Sequence, residues 1–175
     1  AGPVFAAAVI LPCGTEIEGL NDSKKLTEKK REEMFDKIQE TAIACSLAFA
    51  TEQEIDEVNI LQATFLAMRR AVDGLKVRPD FALVDGNRMP PLGIPAELIV
   101  KGDANSASIA AASILAKVSR DRVMKEIDAL YPEYQFAKHK GYGTELHREI
   151  LLERGPCPVH RKTFLKKILA EKDDG

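Results

Sequence analysis

The chain contains no tryptophan, only three cysteines and only three histidines among its 175 residues. Cys13, Cys45 and Cys157 are odd in number, far apart and fit no CxxC pattern. That argues against a disulfide scaffold or a thiolate metal cluster and leaves free thiols in a reducing compartment. No pair among His139, His147 and His160 has HxxxH spacing, so zinc is not expected. No apolar run approaches the roughly 18 residues that cross a bilayer, and no basic stretch precedes the opening apolar run as in a signal peptide. A soluble, cytoplasmic protein without a membrane partner is the expectation. There is no GxxxxGK[ST] and no GxGxxG, and Ser113 and Ser119 lack a GxSxG elbow. Nothing therefore points to a P-loop, a dinucleotide fold or an acyl-transfer triad.

What is present is an ordinary globular balance, 45% apolar and 30% charged, at a length suited to one domain. Val4 to Leu11 is a nearly continuous apolar run closed by Pro12 and Gly14, which reads as a buried strand. Thr27 caps a predicted helix with Met34, Ile38 and Ala42 on one face. Ile43, Cys45, Leu47 and Phe49 then alternate with period two, as in a strand. Thr51 with Glu54 forms a capping box and Asn59 with Gln62 a looser one, so helices are expected at about 52–57 and 60–73. Short apolar runs at Phe81–Val84 and Leu98–Val100 are of strand length. Helices are predicted over about 107–130 and over Glu145–Glu153. The order predicts an α/β domain with a mixed β-sheet flanked by helices and a small helical C-terminal part. Its body spans 1–153, and a basic tail, 154–175, packs on the same domain.

The formal net charge is only −2, but it is unevenly spread. Arg154, Arg161, Lys162, Lys166 and Lys167 occur with no acid between them. Lys24, Lys25, Lys29, Lys30 and Arg31 form a second basic stretch, and Lys138, His139 and Lys140 a third. Each serves equally as a solvated face or as a contact for phosphates.

Two aspartates stand where chemistry is expected in an α/β sheet. Asp85 follows Phe81-Ala82-Leu83-Val84 and precedes Gly86-Asn87, placing it at the carboxyl end of a strand, the edge where ligands gather. Asp-Gly-Asn is also plain turn chemistry. Asp103, in Val100-Lys101-Gly102-Asp103, ends the next apolar run, and two such carboxylates can share a hard cation such as Mg²⁺. Asp103 also suits the N-cap of the following helix. Asp121, between Arg120 and Arg122, reads as a solvated face or a local ion pair. In Gly141-Tyr142-Gly143-Thr144 an aromatic ring sits between glycines after a basic triplet. It is either a stacking platform for a base or sugar, or a loop ring tucked over a core edge.

The combination resembles the type 2 ribonuclease H family, in its bacterial ribonuclease HII branch. The matching stretches are Ala1 to Val4 with Ala6 to Pro12, Leu20 to Leu26, Asn59 to Ala63, Val84 to Asn87, Val100 to Asp103, Ala111 to Val118 and His139 to Thr144. They run in order from residue 1 to about 165 and leave only the last ten residues or so outside.

This resemblance implies a ribonuclease H-like fold and an endonuclease that cuts the RNA strand of RNA–DNA hybrids. It implies nicking 5′ to single ribonucleotides in duplex DNA by two-metal-ion catalysis with Mg²⁺ or Mn²⁺, and a monomer. Four carboxylates hold the ions, and Asp85 and Asp103 match the third and fourth. Tyr142 matches the tyrosine that stacks at the RNA–DNA junction, and Lys24, Lys101, Lys162 and Lys166 are the expected basic contacts to the substrate. One departure stands out. The family's Asp-Glu-Ala-Gly-Arg-Gly-Pro-Leu segment, which carries the first two carboxylates on a strand beside Val4 to Leu11, is not in these 175 residues. The expectation is a longer polypeptide, the 175 residues alone being inactive. Two rivals of other classes are a noncatalytic nucleic-acid-binding domain with a degenerate site and a metal-dependent phosphotransferase.

Overall fold

The opening apolar run folds as strand β1 (Val4–Ile10), which neighbours β2 (Ala44–Ala50) in a two-stranded sheet. The computed structural model describes residues 1–173, the side chains of residues 21, 22, 167 and 171–173 lying outside that description. Between the two strands, a 3-10 helix at Leu20–Lys25 leads into α1 (Glu28–Thr41), capped as expected by Thr27, whose Oγ1 accepts from the Lys30 amide at 3.2 Å. This helix buries Met34, Phe35 and Ile38, while Ala42, expected on the same face, is its C-cap.

Helix α2 (Glu52–Val58) begins with the reciprocal Thr51–Glu54 capping box, and α3 (Ile60–Asp73) follows with the Gln62 amide donating to Asn59 Oδ1 at 3.0 Å. Strands β3 (Ala82–Asp85) and β4 (Ala96–Ile99) pair in parallel, with Asp85 opposite Ile99. Val100, expected in that strand, is 68% exposed beyond its end. Two helices come next, the single turn α4 (Gly102–Asn105) and the long α5 (Ala107–Leu130). The chain closes with a 3-10 turn at Pro132–Tyr134, α6 (Phe136–His139), α7 (Glu145–Arg154) and α8 (Lys162–Asp173).

The architecture is α/β as expected, but the described residues form two two-stranded sheets rather than one mixed sheet. An open groove of about 630 Å³ separates them, lined by β1, by residues 81–85 and by Met68, Val72 and Ile109. β1 and β3 face this groove instead of pairing across it. Leu47 and Phe49 are 37% and 49% exposed, so the alternation in β2 marks a strand whose larger residues stay partly in solvent.

Contacts divide the chain into two units. One comprises Phe5–Phe49 and Thr64–Ser119, and its core joins Met34, Phe35 and Ile38 of α1 to Ala111, Ile114, Leu115 and Val118 of α5. The other comprises Ala1–Val4, Ala50–Ala63 and the residues from Arg120 on, with Met124, Ile127, Tyr134, Phe136 and Ile150 at its centre. Phe136 is fully buried there against Tyr134 and the rings of His139, His147 and His160.

Ile38 has no exposed surface, and truncating a buried aliphatic side chain removes its transfer free energy and leaves a cavity. Ile38→Ala should lower unfolding free energy by about 2–5 kcal/mol in urea denaturation. A loss well under 1 kcal/mol would show that α1 does not anchor this core.

Candidate functional site

In the unit built on α1 and β1, parallel pairing brings the carboxyl ends of β3 and β4 level, so Asp85 emerges beside the turn that follows Ile99. The Gly102 amide donates to Asp85 Oδ1 at 3.0 Å, which sets the Asp85 carboxylate against the residue immediately before Asp103. A side chain at 102 would force Ile109 to shift. A Cβ there would stand 2.6 Å from Ile109 Cδ1 and 3.2 Å from Asp85 Oδ1. The turn is held further by Asn105 Nδ2, which donates to the Val100 and Lys101 carbonyls at 3.1 Å each. Lys101 takes a left-handed backbone, φ 52° and ψ 46°, with its side chain exposed.

Asp103 is 9% exposed, and its Oδ2 lies 3.2 Å from Lys24 Nζ. It lines a hollow of about 700 Å³ with Thr15 to Leu20, Asn105 and Ser106, whereas Asp85 stands exposed at the end of the groove between β1 and β3. The N-cap expectation for Asp103 is corrected. Asp103 lies inside α4, and Ser106 Oγ accepts from the Ile109 amide at 3.4 Å at the head of α5. Asp121 is 7% exposed, which removes the solvated-face alternative and leaves the local ion pair.

The fold thus gathers Asp85, Asp103 and Lys24, with Lys101 in the same turn. The two carboxylates offer the oxygen donors that hard divalent cations prefer. The fit is one of donor type rather than a complete shell. Among the described residues no group of three or more His, Cys, Asp or Glu side chains stands ready to hold a metal ion.

Tyr142, Lys162 and Lys166 belong to the other unit. Tyr142 is 54% exposed, and the Arg120 guanidinium carbon lies 5.0 Å from its ring centroid, a cation–π contact. Arg120 is anchored by main chain, donating from Nη1 to the Lys140 carbonyl at 2.6 Å, from Nη2 to Ala1 at 2.9 Å and from Nε to Pro3 at 3.3 Å. Lys162 and Lys166 project from α8 into solvent, while the side chain of Lys167 lies outside the described ones. The start of α8 is tied to α2, the Asp56 carboxylate accepting from the Lys162 and Thr163 amides at 2.9 and 3.0 Å. Despite slight desolvation, those bonds hold Asp56 below the usual carboxylate range. Arg161, counted in the basic tail, instead donates to the Gly2 carbonyl at 2.9 Å and lies over Phe164.

Sequence reasoning missed one feature here. His139, His147 and His160 come together, each 3–4% exposed, with the rings of His139 and His147 stacked 3.9 Å apart. Their spacing carries no motif, because α6, α7 and the loop before α8 each supply one of them. Burial, with repulsion from the neighbouring imidazoles, pushes His147 and His160 down to about 4.

The architecture has known counterparts. The crystal structure of ribonuclease H2 from Pyrococcus horikoshii OT3 matches with a TM-score of 0.75 at 23% identity, covering 99% of this chain and 100% of that one. The ribonuclease HII of Archaeoglobus fulgidus, solved in a complex with PCNA, matches with a TM-score of 0.73 at 23% identity, covering 94% of this chain and 87% of that one. At that identity the likeness defines the fold class, that of the type 2 ribonucleases H.

The sequence goes further. The family model for ribonuclease HII matches residues 1–167. Ribonuclease HII of Caldicellulosiruptor saccharolyticus is 56% identical over 169 residues, covering 97% of this chain and 82% of that protein. That of Desulfitobacterium hafniense is 60% identical over 164 residues, covering 94% and 63%. This chain belongs to the ribonuclease HII family, whose members are ribonuclease H hydrolases acting on nucleic acid.

The histidine burial generates a pH dependence. The unfolded chain protonates His147 and His160 near 6.5, whereas the fold keeps them neutral down to about 4. Between those values the unfolded state binds more protons, so stability rises with pH across the window and is lost progressively as pH falls through it. The urea midpoint should be lower at about pH 5 than at about pH 7. A higher midpoint in acid would contradict the neutral assignment.

Proposed function

We propose that this chain is the carboxylate-bearing core of an endonuclease that hydrolyses the RNA strand of RNA–DNA hybrids and nicks 5′ to single ribonucleotides in duplex DNA. The observation that carries the reading is the Gly102 amide–Asp85 Oδ1 bond, which ties Asp85 at the end of β3 to the turn whose next residue is Asp103. Asp85 and Asp103 would hold Mg²⁺ or Mn²⁺, and two such ions supply an activated water and charge stabilisation at a phosphoryl centre. The products would be a 5′-phosphate and a 3′-hydroxyl.

The chain's own residues divide the remaining work. Asp103 pairs with Lys24, whose exposed side chain would meet a phosphate at the same edge. Lys101 adds a cation on the turn beside Asp85. Tyr142 offers its ring to the junction nucleotide, with Arg120 behind it favouring a polyanion. Lys162 and Lys166 would position duplex without reading its sequence, as phosphate contacts do. The groove between β1 and β3 supports the view that the Asp and Glu of the family's upstream segment complete the ligand set from a strand seated there.

Asp85→Asn, made in a polypeptide that carries the upstream acids, should abolish cleavage of a duplex with one ribonucleotide and leave binding largely intact. The amide retains an oxygen to accept from Gly102 and loses the charge that holds metal. Cleavage within about tenfold of the parent in saturating Mg²⁺ would reject the ligand role. Replacing Lys162 and Lys166 together with Ala should weaken binding to every duplex and flatten the slope of log K against log salt by about one to two, with the cut site unmoved. An unaltered slope would return these lysines to plain solvation.

A further inference from the structure

The three buried histidines admit one proton arrangement, and it ends on Tyr142. His147 Nδ1 is 2.8 Å from the Tyr142 carbonyl oxygen, which can only accept, so Nδ1 carries a proton. His147 Nε2 is 2.8 Å from His160 Nε2, a separation that requires one proton between the two nitrogens. His160 Nδ1 accepts from the Cys157 amide at 3.0 Å, so its own proton is on Nε2 and points to His147. The chain of donors runs from the Cys157 amide through His160 and His147 to the Tyr142 carbonyl. His139 is fixed alongside, donating from Nε2 to the Tyr134 carbonyl at 2.7 Å and accepting at Nδ1 from the Gly141 amide at 3.0 Å.

The loop they hold is specified residue by residue. The Tyr142 amide donates to the His139 carbonyl at 3.0 Å, and the Thr144 amide to the Tyr142 carbonyl at 2.9 Å. Gly141, at φ 81°, has no room for a side chain, since a Cβ would lie 2.6 Å from the Ala1 carbonyl oxygen and 3.0 Å from Met124 Cε. Yet the ring on this fixed main chain is more than half exposed and buries little to stabilise the fold. A rigid stem under a solvent-facing ring is what preorganised recognition requires, because the ordering cost is met before the ligand arrives.

We propose that His147, supported by His160, is a positioning residue for Tyr142, its Nδ1 proton fixing the carbonyl on which the ring's orientation toward nucleic acid depends. The proposal rests on the reading of Tyr142 as a substrate contact, and the experiment separates the two.

With three histidines in the whole chain, long-range proton–nitrogen spectra resolve each ring. At neutral pH, His147 should be the Nδ1–H tautomer, and His139 and His160 the Nε2–H tautomers. Any other tautomer for His147 overturns the proposal whatever Tyr142 does. Affinity for a labelled duplex carrying one ribonucleotide is then measured for the full chain, for His147→Ala and His147→Asn, and for each in a Tyr142→Ala background. His147→Ala should weaken binding by about tenfold, the scale of one lost hydrogen bond. His147→Asn, whose amide nitrogen stands where Nδ1 stood, should restore most of it. With Tyr142→Ala present, the histidine change should have no further effect, because the two act as a unit. Equal losses in both backgrounds, or failure of Asn to rescue, would reduce His147 to a general stabiliser and overturn the proposal. If Tyr142→Ala alone leaves affinity unchanged while the tautomers are as expected, the substrate reading of Tyr142 fails and the positioning role falls with it.

Discussion

A single hydrogen bond, from the Gly102 amide to Asp85 Oδ1, organises the candidate centre. It links the end of β3 to the turn after β4, and that turn delivers Asp103 one residue later. The tight fit at 102, where Ile109 of α5 closes against the backbone, means that a side chain there would displace Ile109. Sheet register, helix packing and carboxylate placement are therefore one constraint. Moving α5 at its first turn would move Ile109, the Gly102 amide and the charge on Asp85 together.

The second unit solves a different problem, the display of an exposed ring on a main chain that cannot shift. Arg120 is held by three carbonyls and the histidines by two more, so this region is built from main-chain acceptors and side-chain donors. Among the described bonds of Arg120 no carboxylate takes part, and its charge remains available to the field around Tyr142.

Much of this was legible in the sequence. The capping residues Thr27, Thr51 and Asn59 act locally, and each was found where its spacing placed it. Asp85 could be read from the apolar run before it, since the end of a strand is a local property. The split of the sheet could not, because which strands pair is settled by tertiary placement and not by either strand's composition. Nor could the histidine chain, whose members are eight and thirteen residues apart and meet only through tertiary packing. Between the two readings of Asp121 the sequence could not choose, because flanking arginines report on sequence neighbours and say nothing of the burial that removes the solvated face.

Lys101 shows how charge and backbone economy conflict at one position. A lysine in the left-handed region gives up about 1–2 kcal/mol that glycine would not, from the crowding of its Cβ against the next carbonyl. Glycine or asparagine at 101 would relieve that crowding and erase a cation at the edge where Asp85 emerges. A thermostabilised version of this domain designed from backbone geometry alone would select that change, as it would at Gln135 and Lys140. It would yield a tougher protein with a more repulsive surface toward polyanions, so melting temperature is a poor guide to improvement in this turn.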